Sequence, residues 1–341
     1  MNEISVNVKQ EPGKVTWNFE EIKTNLGAAL AEYTSMVYDD DSIKSAKTDV
    51  ATLRALAKTI EDRRKEVKEK CLEPYGVIEK QAKELVAAGA KELILVAQET
   101  TLYGVDLYGE KSLHRLLDEL NKIEGLFWIR IMYCYPEEIY ENLIDAMIRN
   151  KKVCHYLDIP IQHANDTILK RMGRRTSNAD LVRIITHLRE RIPDITLRTT
   201  LICGFPGETQ EMHEELMQFI NDMEFDRLGA FTYSPEEGTP AAEFTDQVDE
   251  ELKKDWQADV MELQEEIIFD KNETMKGREL YVFIEGKVSD ENAYVGRTYR
   301  DAPDVDGYIF INTEEELMTG DIAKVRVTGA YEYDLIGEIC Q

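Results

Sequence analysis

The sequence predicts an α/β protein: a partial (β/α) barrel, a small all-β barrel after it, and a hairpin-plus-helix segment in front. Three observations carry this. From Gln81 an apolar strand candidate followed by a helical segment recurs about every 30–40 residues, the rhythm of a parallel sheet or barrel. After Lys276-Gly277 the pattern switches to short β segments with Gly or Asp/Asn clusters near their ends. A composition boundary falls near residue 80: residues 1–80 hold 13 basic and 15 acidic side chains, and residues 81–341 hold 28 and 52. The expected domains are therefore 1–80, 81–270 with a linker helix, and 271–341.

In order along the chain, the alternating Ile4–Val8, the turn-forming Glu11-Pro12-Gly13 and Lys14–Phe19 predict a hairpin. From Asp41-Ser42, the residues Ala46, Val50, Leu53, Leu56 and Ile60 step at helical spacing into the mixed-charge run Glu61–Lys70, the solvated face of a long helix. Ala82–Ala88 is a helix that Gly89 ends. Strands are expected at Glu92–Val96, Trp128–Met132, Tyr156–Ile161, Thr196–Ile202 and Arg227–Thr232. Helices are expected at Leu113–Leu120, Glu138–Ile148, Asp180–Arg189 and Glu211–Met223. Asp249–Phe269 reads as one long charged helix connecting two domains. The terminal β segments are Leu280–Glu285, Ala293–Thr298, Gly307–Asn312, Ile322–Thr328 and Leu335–Cys340.

The formal charge is −26, from 67 acidic and 41 basic residues. The terminal module alone, residues 275–341, holds 7 basic and 14 acidic side chains. Such a surface repels a phosphate backbone and suits a basic protein, so no direct nucleic-acid binding is expected. No apolar run of about 18 residues and no basic-then-apolar leader is present, so the expectation is a cytoplasmic protein without membrane contact. Cys71, Cys134, Cys154, Cys203 and Cys340 are scattered without CxxC spacing, which predicts isolated reduced thiols and no metal site.

In parallel α/β folds ligands meet the C-terminal ends of the strands. The five expected strand ends run into polar loops: Gln98–Gly104, Tyr133–Glu137, Gln162–Asn165, Cys203–Thr209 and Tyr233–Pro240. Polar, Gly- and Pro-rich loops at every end point to one shared site. His163 follows a strand end and is a candidate contact. His114, His155, His187 and His213 fall in expected helices or their flanks and read as structural. Arg174-Arg175 reads as a surface turn, with binding of a substrate phosphate or carboxylate as the alternative.

The segments VAQETTLYG, YLDIPIQHAN, MGRRTS, LRTTLICGFPGET and GAFTYSPEEGTPAA resemble the RimO-type radical-SAM methylthiotransferases over residues 81–341. The resemblance implies a radical-SAM-type barrel with a TRAM-like terminal β-barrel, S-adenosylmethionine and a [4Fe–4S] cluster as cofactors, and methylthiolation of an aspartate on a basic small-subunit ribosomal protein. Carried onto this sequence, Gln98, Glu99 and Thr100 would bind the amino end of S-adenosylmethionine and Gln162 would lie near its ribose. Arg198 would meet its polar groups, and Ile202, Cys203 and Gly204 with Glu208 would form the turn beneath its adenine.

The sequence departs from the family pattern in front. Complete members carry a cofactor domain and a first barrel strand ending in CxxxCxxC, whose thiolates hold the cluster; neither is here. The resemblance therefore implies only a partial S-adenosylmethionine site, no catalytic residue and no radical chemistry from this chain alone. The missing first strand would also leave a hydrogen-bonding edge on the sheet. Residues 1–80 instead resemble a phage-associated domain family of unknown function, with the joint near Glu79–Lys83. Two other functions compete: a non-catalytic binding module for a basic ribosomal partner, and a phage-associated scaffold.

Overall fold

A computed structural model describes residues 8–11, 14–17, 43–289 and 292–340 of the 341-residue chain. They form two compact units: one holds the described residues up to Glu84 with Tyr103–Ser112, the other Leu85–Leu102 with residues from Leu113 onward.

In the first unit β1 (Val8–Glu11) pairs antiparallel with β2 (Lys14–Trp17), Val8 opposite Trp17. The expected hairpin is described over these two stretches; Ile4–Asn7, Pro12-Gly13 and Asn18-Phe19 lie outside the described residues. Helix α1 (Ile43–Ala87) is continuous, so the two expected helical stretches are one element and the expected joint lies inside it. Lys83 pairs with Glu79 at 2.5 Å and Lys80 with Glu84 at 3.8 Å, so i,i+4 pairs run across that joint. Gly89, at φ 109°, ends the helix.

The second unit is built on a parallel sheet of β3 (Glu92–Leu95), β4 (Trp128–Ile131), β5 (Val153–Asp158), β6 (Thr196–Cys203) and β7 (Arg227–Thr232), ordered as in the chain. The crossovers carry α2 (Leu113–Leu120), α3 (Glu141–Arg149), α4 (Asp166–Arg171), α5 (Asn178–Arg191) and α6 (Gln210–Met223). Among the described residues strand β3 is an edge of the sheet, the position the expected loss of a first strand would give it. The third strand is displaced from the expected Tyr156–Ile161 because Pro160 has no N–H for the ladder and Gln162 turns at φ 71°. His155 accordingly sits in a strand, where its Nδ1 meets Asp194 at 2.7 Å.

Alternation along β6 shows the two faces. Leu197, Thr199, Leu201 and Cys203 are buried, while Arg198, Thr200 and Ile202 are half-buried on the other face. Strand residues Ile129, Ile131, Leu157, Leu197 and Leu201 supply the core, with Leu116, Met147, Leu181, Ile185 and Ile220 from the helices. Helix α7 (Glu250–Glu273) follows, with Trp256, Val260 and Ile267 buried. It leads into a closed barrel of β8 (Glu279–Lys287), β9 (Ala293–Arg297), β10 (Ile309–Asn312), β11 (Ile322–Tyr331) and β12 (Asp334–Ile339), cored by Val282, Ile284, Ile309, Ile311, Val325 and Val327.

The loop between β9 and β10 docks on the second face of the sheet through a buried polar seam. Arg130 donates to Glu92 at 2.7 Å and to the Tyr299 carbonyl at 2.8 Å, and Arg297 reaches Glu92 at 2.8 Å. Asp306 accepts from the Tyr156 hydroxyl at 2.7 Å, the Ala302 amide at 2.9 Å and Arg198 Nε at 3.2 Å. Arg227 pairs with Asp301. Trp128, Cys154, Tyr156 and Ala302 pack into one apolar cluster beside these groups. Buried ions survive because each has a partner. No helix among the described residues is long and apolar enough to cross a membrane.

Candidate functional site at the strand ends

Each strand of the sheet exits into a loop held by its neighbour. Thr100 Oγ1 donates to the Met132 carbonyl at 2.6 Å, and its amide donates to the Tyr133 carbonyl at 3.0 Å. The Glu99 carboxylate accepts from the Thr101 amide at 3.0 Å, the Thr101 hydroxyl, and the Tyr135 amide at 2.8 Å. Burial pushes the Glu99 carboxyl above the usual range, against these hydrogen bonds. Glu99 and Thr100 thus tie the β3 loop to the β4 loop, and Gln98 beside them is exposed.

The β5 and β6 exits interlock in the same way. The Gln162 amide donates to the Thr200 carbonyl at 3.0 Å, and the Ile202 amide donates to the Gln162 carbonyl at 2.9 Å. The left-handed backbone of Gln162 leaves its side-chain Oε1 buried without a partner. Glu208 closes the turn after β6: it accepts from the Gly204 amide at 2.6 Å and the Phe205 amide at 3.2 Å, and faces His163 Nε2 at 3.1 Å. His163 Nδ1 accepts from the Asn165 amide at 2.9 Å, so Nε2 carries the proton and donates to Glu208. Gly204 has φ 76°, and a Cβ there would lie 2.2 Å from Lys253 Cγ, so no other residue fits. Phe205, Tyr233 and Ile168 pack with Ile202 and Phe244 over this turn.

Arg198 is placed differently from its companions. It lies four residues upstream of Ile202, about 13 Å along the strand, with Nη1 on Asp158 at 2.8 Å and Nε on Asp306 at 3.2 Å. Asp158 in turn accepts from the Tyr133 amide at 3.1 Å. Arg198 therefore supports the site from beneath, linking the barrel loop to the β4 exit. Of the expected residues, Glu99, Thr100, Gln162, Ile202, Gly204 and Glu208 stand at the strand exits. The carboxylates are engaged by their own or neighbouring exit loops, which leaves the Gln162 amide oxygen as the unsatisfied buried group among them.

Sequence reading missed the apolar floor of this region. Val96 is 60% and Phe231 58% exposed at the ends of β3 and β7, and Tyr133 is exposed at φ 58°. Ile202 pairs in register with Phe231. Exposed side chains directly after buried strand residues were the available signal. Arg174 and Arg175 lie in the loop after α4, Arg175 exposed and Arg174 half-buried; the Arg174 guanidinium stacks over the Tyr135 ring at 4.6 Å and donates to the Pro160 carbonyl at 2.7 Å.

The donor set does not fit an iron–sulfur cluster among the described residues. No three His, Cys, Asp or Glu side chains are grouped to hold a metal. Cys134, Cys154 and Cys203 are buried singly, and burial pushes the Cys154 and Cys203 thiols up to about 12. The side chain of Cys71 lies outside the described residues. S-adenosylmethionine fits better: an orphaned amide oxygen at Gln162 and an open apolar surface at Ile202 and Phe231 suit the hydroxyls and the flat base of a nucleoside.

Comparison with known proteins agrees with this architecture. Residues 72–220 match the Radical SAM superfamily and residues 277–340 the TRAM domain. Residues 3–94 match a protein family of unknown function, DUF1351. The ribosomal protein uS12 methylthiotransferase RimO of Lachnoclostridium phytofermentans is 58% identical over 264 residues, 77% of this chain and 60% of that protein. Those of Clostridium perfringens and Clostridium botulinum are 50% and 48% identical over 77% and 76% of this chain, each covering 58% of the relative. The chain thus spans about three fifths of the length of these relatives. Among solved structures, Escherichia coli coproporphyrinogen III oxidase (HemN), a radical SAM enzyme, aligns over 58% of this chain and 46% of its own at 19% identity and a TM-score of 0.46. Over the three quarters of its length shared with those relatives, the chain is a partial RimO-type protein with radical SAM and TRAM regions.

Proposed function

We propose that this chain carries the S-adenosylmethionine-binding and substrate-facing part of a uS12 methylthiotransferase, and does not by itself perform the family's radical chemistry. The observation that carries the reading is the convergence of family motif residues at the strand exits, with the Gln162 oxygen buried and unpartnered beside the Glu208-braced turn. Gln98 and Gln162 would meet polar groups of the ligand; Ile202, Gly204 and Phe231 would lie under its base. Glu99, Thr100 and Glu208 hold the loops, and Arg198 supports them from below. A bound cluster would supply the electron that cleaves S-adenosylmethionine in the family; no three side chains are grouped to hold a metal among the described residues.

The division at residues 1–80, 81–270 and 271–341 is part of the proposal, as are a cytoplasmic setting and a basic small-subunit ribosomal protein as partner. Support for a basic partner comes from a groove of about 460 Å³ lined by Glu262, Glu265, Glu266, Glu332, Phe269 and Tyr331. Elsewhere on α7, Glu250, Glu251 and Glu273 each pair with a lysine three residues away. Glu262, Glu265 and Glu266 have no such partner among the described residues.

Calorimetric titration of the full chain with S-adenosylmethionine tests the reading. Saturable binding that weakens at least about fivefold in Gln162→Ala supports it; no binding by the unaltered chain, or binding indifferent to Gln162, contradicts it.

A further inference from the structure

The loop between α4 and α5, Met172–Ser177, carries two adjacent arginines for which the described residues supply no ion pair. On this strongly acidic chain, Arg130, Arg149, Arg171, Arg183, Arg191, Arg198, Arg227, Arg297 and Arg300 all form ion pairs with carboxylates. Among the described residues Arg174 and Arg175 form none. The nearest acids in sequence are already engaged: Asp166 accepts from the Asn178 amide at 2.6 Å, and Asp180 accepts from Ser177 Oγ and Arg183, each at 2.7 Å.

Two further facts turn an unpaired charge into a built feature. Arg174 is held in place by stacking on Tyr135 and by its hydrogen bond to the Pro160 carbonyl, which fixes it between the β4 and β5 exit loops. Its Nε is buried with no partner, and so is Thr176 Oγ1, a residue only 6% exposed. Buried donors without acceptors are uncommon and costly in a folded protein. Arg175, next in the chain, is exposed and without a partner among the described residues.

We infer that Arg174 and Arg175, with Thr176, form a carboxylate-recognition element on the rim of the strand-end site. This deepens the proposed function and rests on it for what reaches the rim. A guanidinium fork pairs with a planar carboxylate through two parallel hydrogen bonds, and an arginine already fixed by stacking loses little freedom in doing so. Two carboxylates have that chemistry: an acidic side chain presented by a protein substrate, and the methionine carboxylate of S-adenosylmethionine.

The test has two arms, both on the full chain. In the first, a labelled lysine-rich peptide with one central aspartate is compared by fluorescence anisotropy with the same peptide carrying asparagine. In the second, S-adenosylmethionine is compared calorimetrically with its decarboxylated form. The proposal expects about a tenfold preference for the carboxylate-bearing ligand in at least one arm. Arg174→Gln/Arg175→Gln should abolish that preference, and Arg175→Gln alone, at an exposed position that no fold contact uses, should reduce it. The arm that responds identifies the source of the carboxylate. Equal binding with and without the carboxylate in both arms, or a preference that survives the double and single variants, overturns the proposal. If S-adenosylmethionine fails to bind the unaltered chain while an arginine-dependent peptide preference remains, the proposed function falls and the carboxylate element stands.

Discussion

Asp306→Ala is the sharpest perturbation of the seam between the small barrel and the parallel sheet. The Asp306 carboxylate is buried and accepts from Arg198 Nε, the Tyr156 hydroxyl and the Ala302 amide at 3.2, 2.7 and 2.9 Å. Truncation leaves Arg198 with Asp158 as its one carboxylate and strands two further donors. Removing one member of a buried ion pair costs about 3–5 kcal/mol. With a urea slope of about 2–3 kcal/mol per molar, the midpoint should fall by about 1–2.5 M. Trp128 lies in the apolar cluster at this seam, so tryptophan fluorescence followed alongside far-ultraviolet circular dichroism reports the loss directly. Glu251→Gln, which removes the partner of the exposed Lys254, serves as the comparison and should move the midpoint by far less. An Asp306→Ala midpoint within about 0.3 M of the unaltered chain would refute the claim that the seam stabilises the unit.

Three other outcomes follow from named groups. Gly204→Ala combines a positive φ with a Cβ 2.2 Å from Lys253 Cγ, so it should destabilise by about 2 kcal/mol or more and lower the melting temperature by about 4–8 °C; an unchanged melting curve contradicts the geometry. The Asp180 carboxyl, lowered to about 2 by hydrogen bonds from Ser177 and Arg183, contributes stability that is present above its ordinary 3.8 and is lost as pH falls towards 2; carbon-detected NMR titration should find its midpoint near 2 rather than near 3.8. Cys154 and Cys203, both held as thiols up to about 12 by burial, should resist iodoacetamide at pH 8 in the folded chain and react after denaturation, and rapid native alkylation of either would show the pocket to be open.

The sheet was legible because its strands are apolar runs that end abruptly in polar loops: Arg227–Thr232 and Leu113–Leu120 are found at the expected bounds. Pro160 hid the true third strand, since YLDIPI reads as one apolar run until the missing amide proton is considered. The short helix Asp166–Arg171 went unnoticed between two motifs, although Asn165, whose side chain accepts from the Thr167 and Ile168 amides, is a readable N-cap. The seam was invisible for a physical reason. Arg297, Arg300, Asp301 and Asp306 look like a solvated loop in one dimension, and only the fold brings Arg130, Arg198 and Arg227 to meet them. At the site, the motif residues came together as a group, but sequence could not tell ligand contacts from braces. Glu99 and Glu208 turn their carboxylates onto backbone amides of their own or neighbouring exit loops, and Arg198 pairs below. The exposed Phe231 and Val96 came from strands judged only by their apolarity.

The central proposal is that this partial RimO-type chain keeps a nucleoside-binding face, with no group of cluster ligands assembled among the described residues. Anaerobic reconstitution of the purified chain with iron and sulfide, followed by visible absorption and electron paramagnetic resonance of the reduced sample, tests it most directly. The account predicts no stoichiometric [4Fe–4S] signal, with S-adenosylmethionine binding unchanged by the treatment. A stoichiometric cluster would contradict it, by showing that cysteines of this chain or of several chains converge on iron.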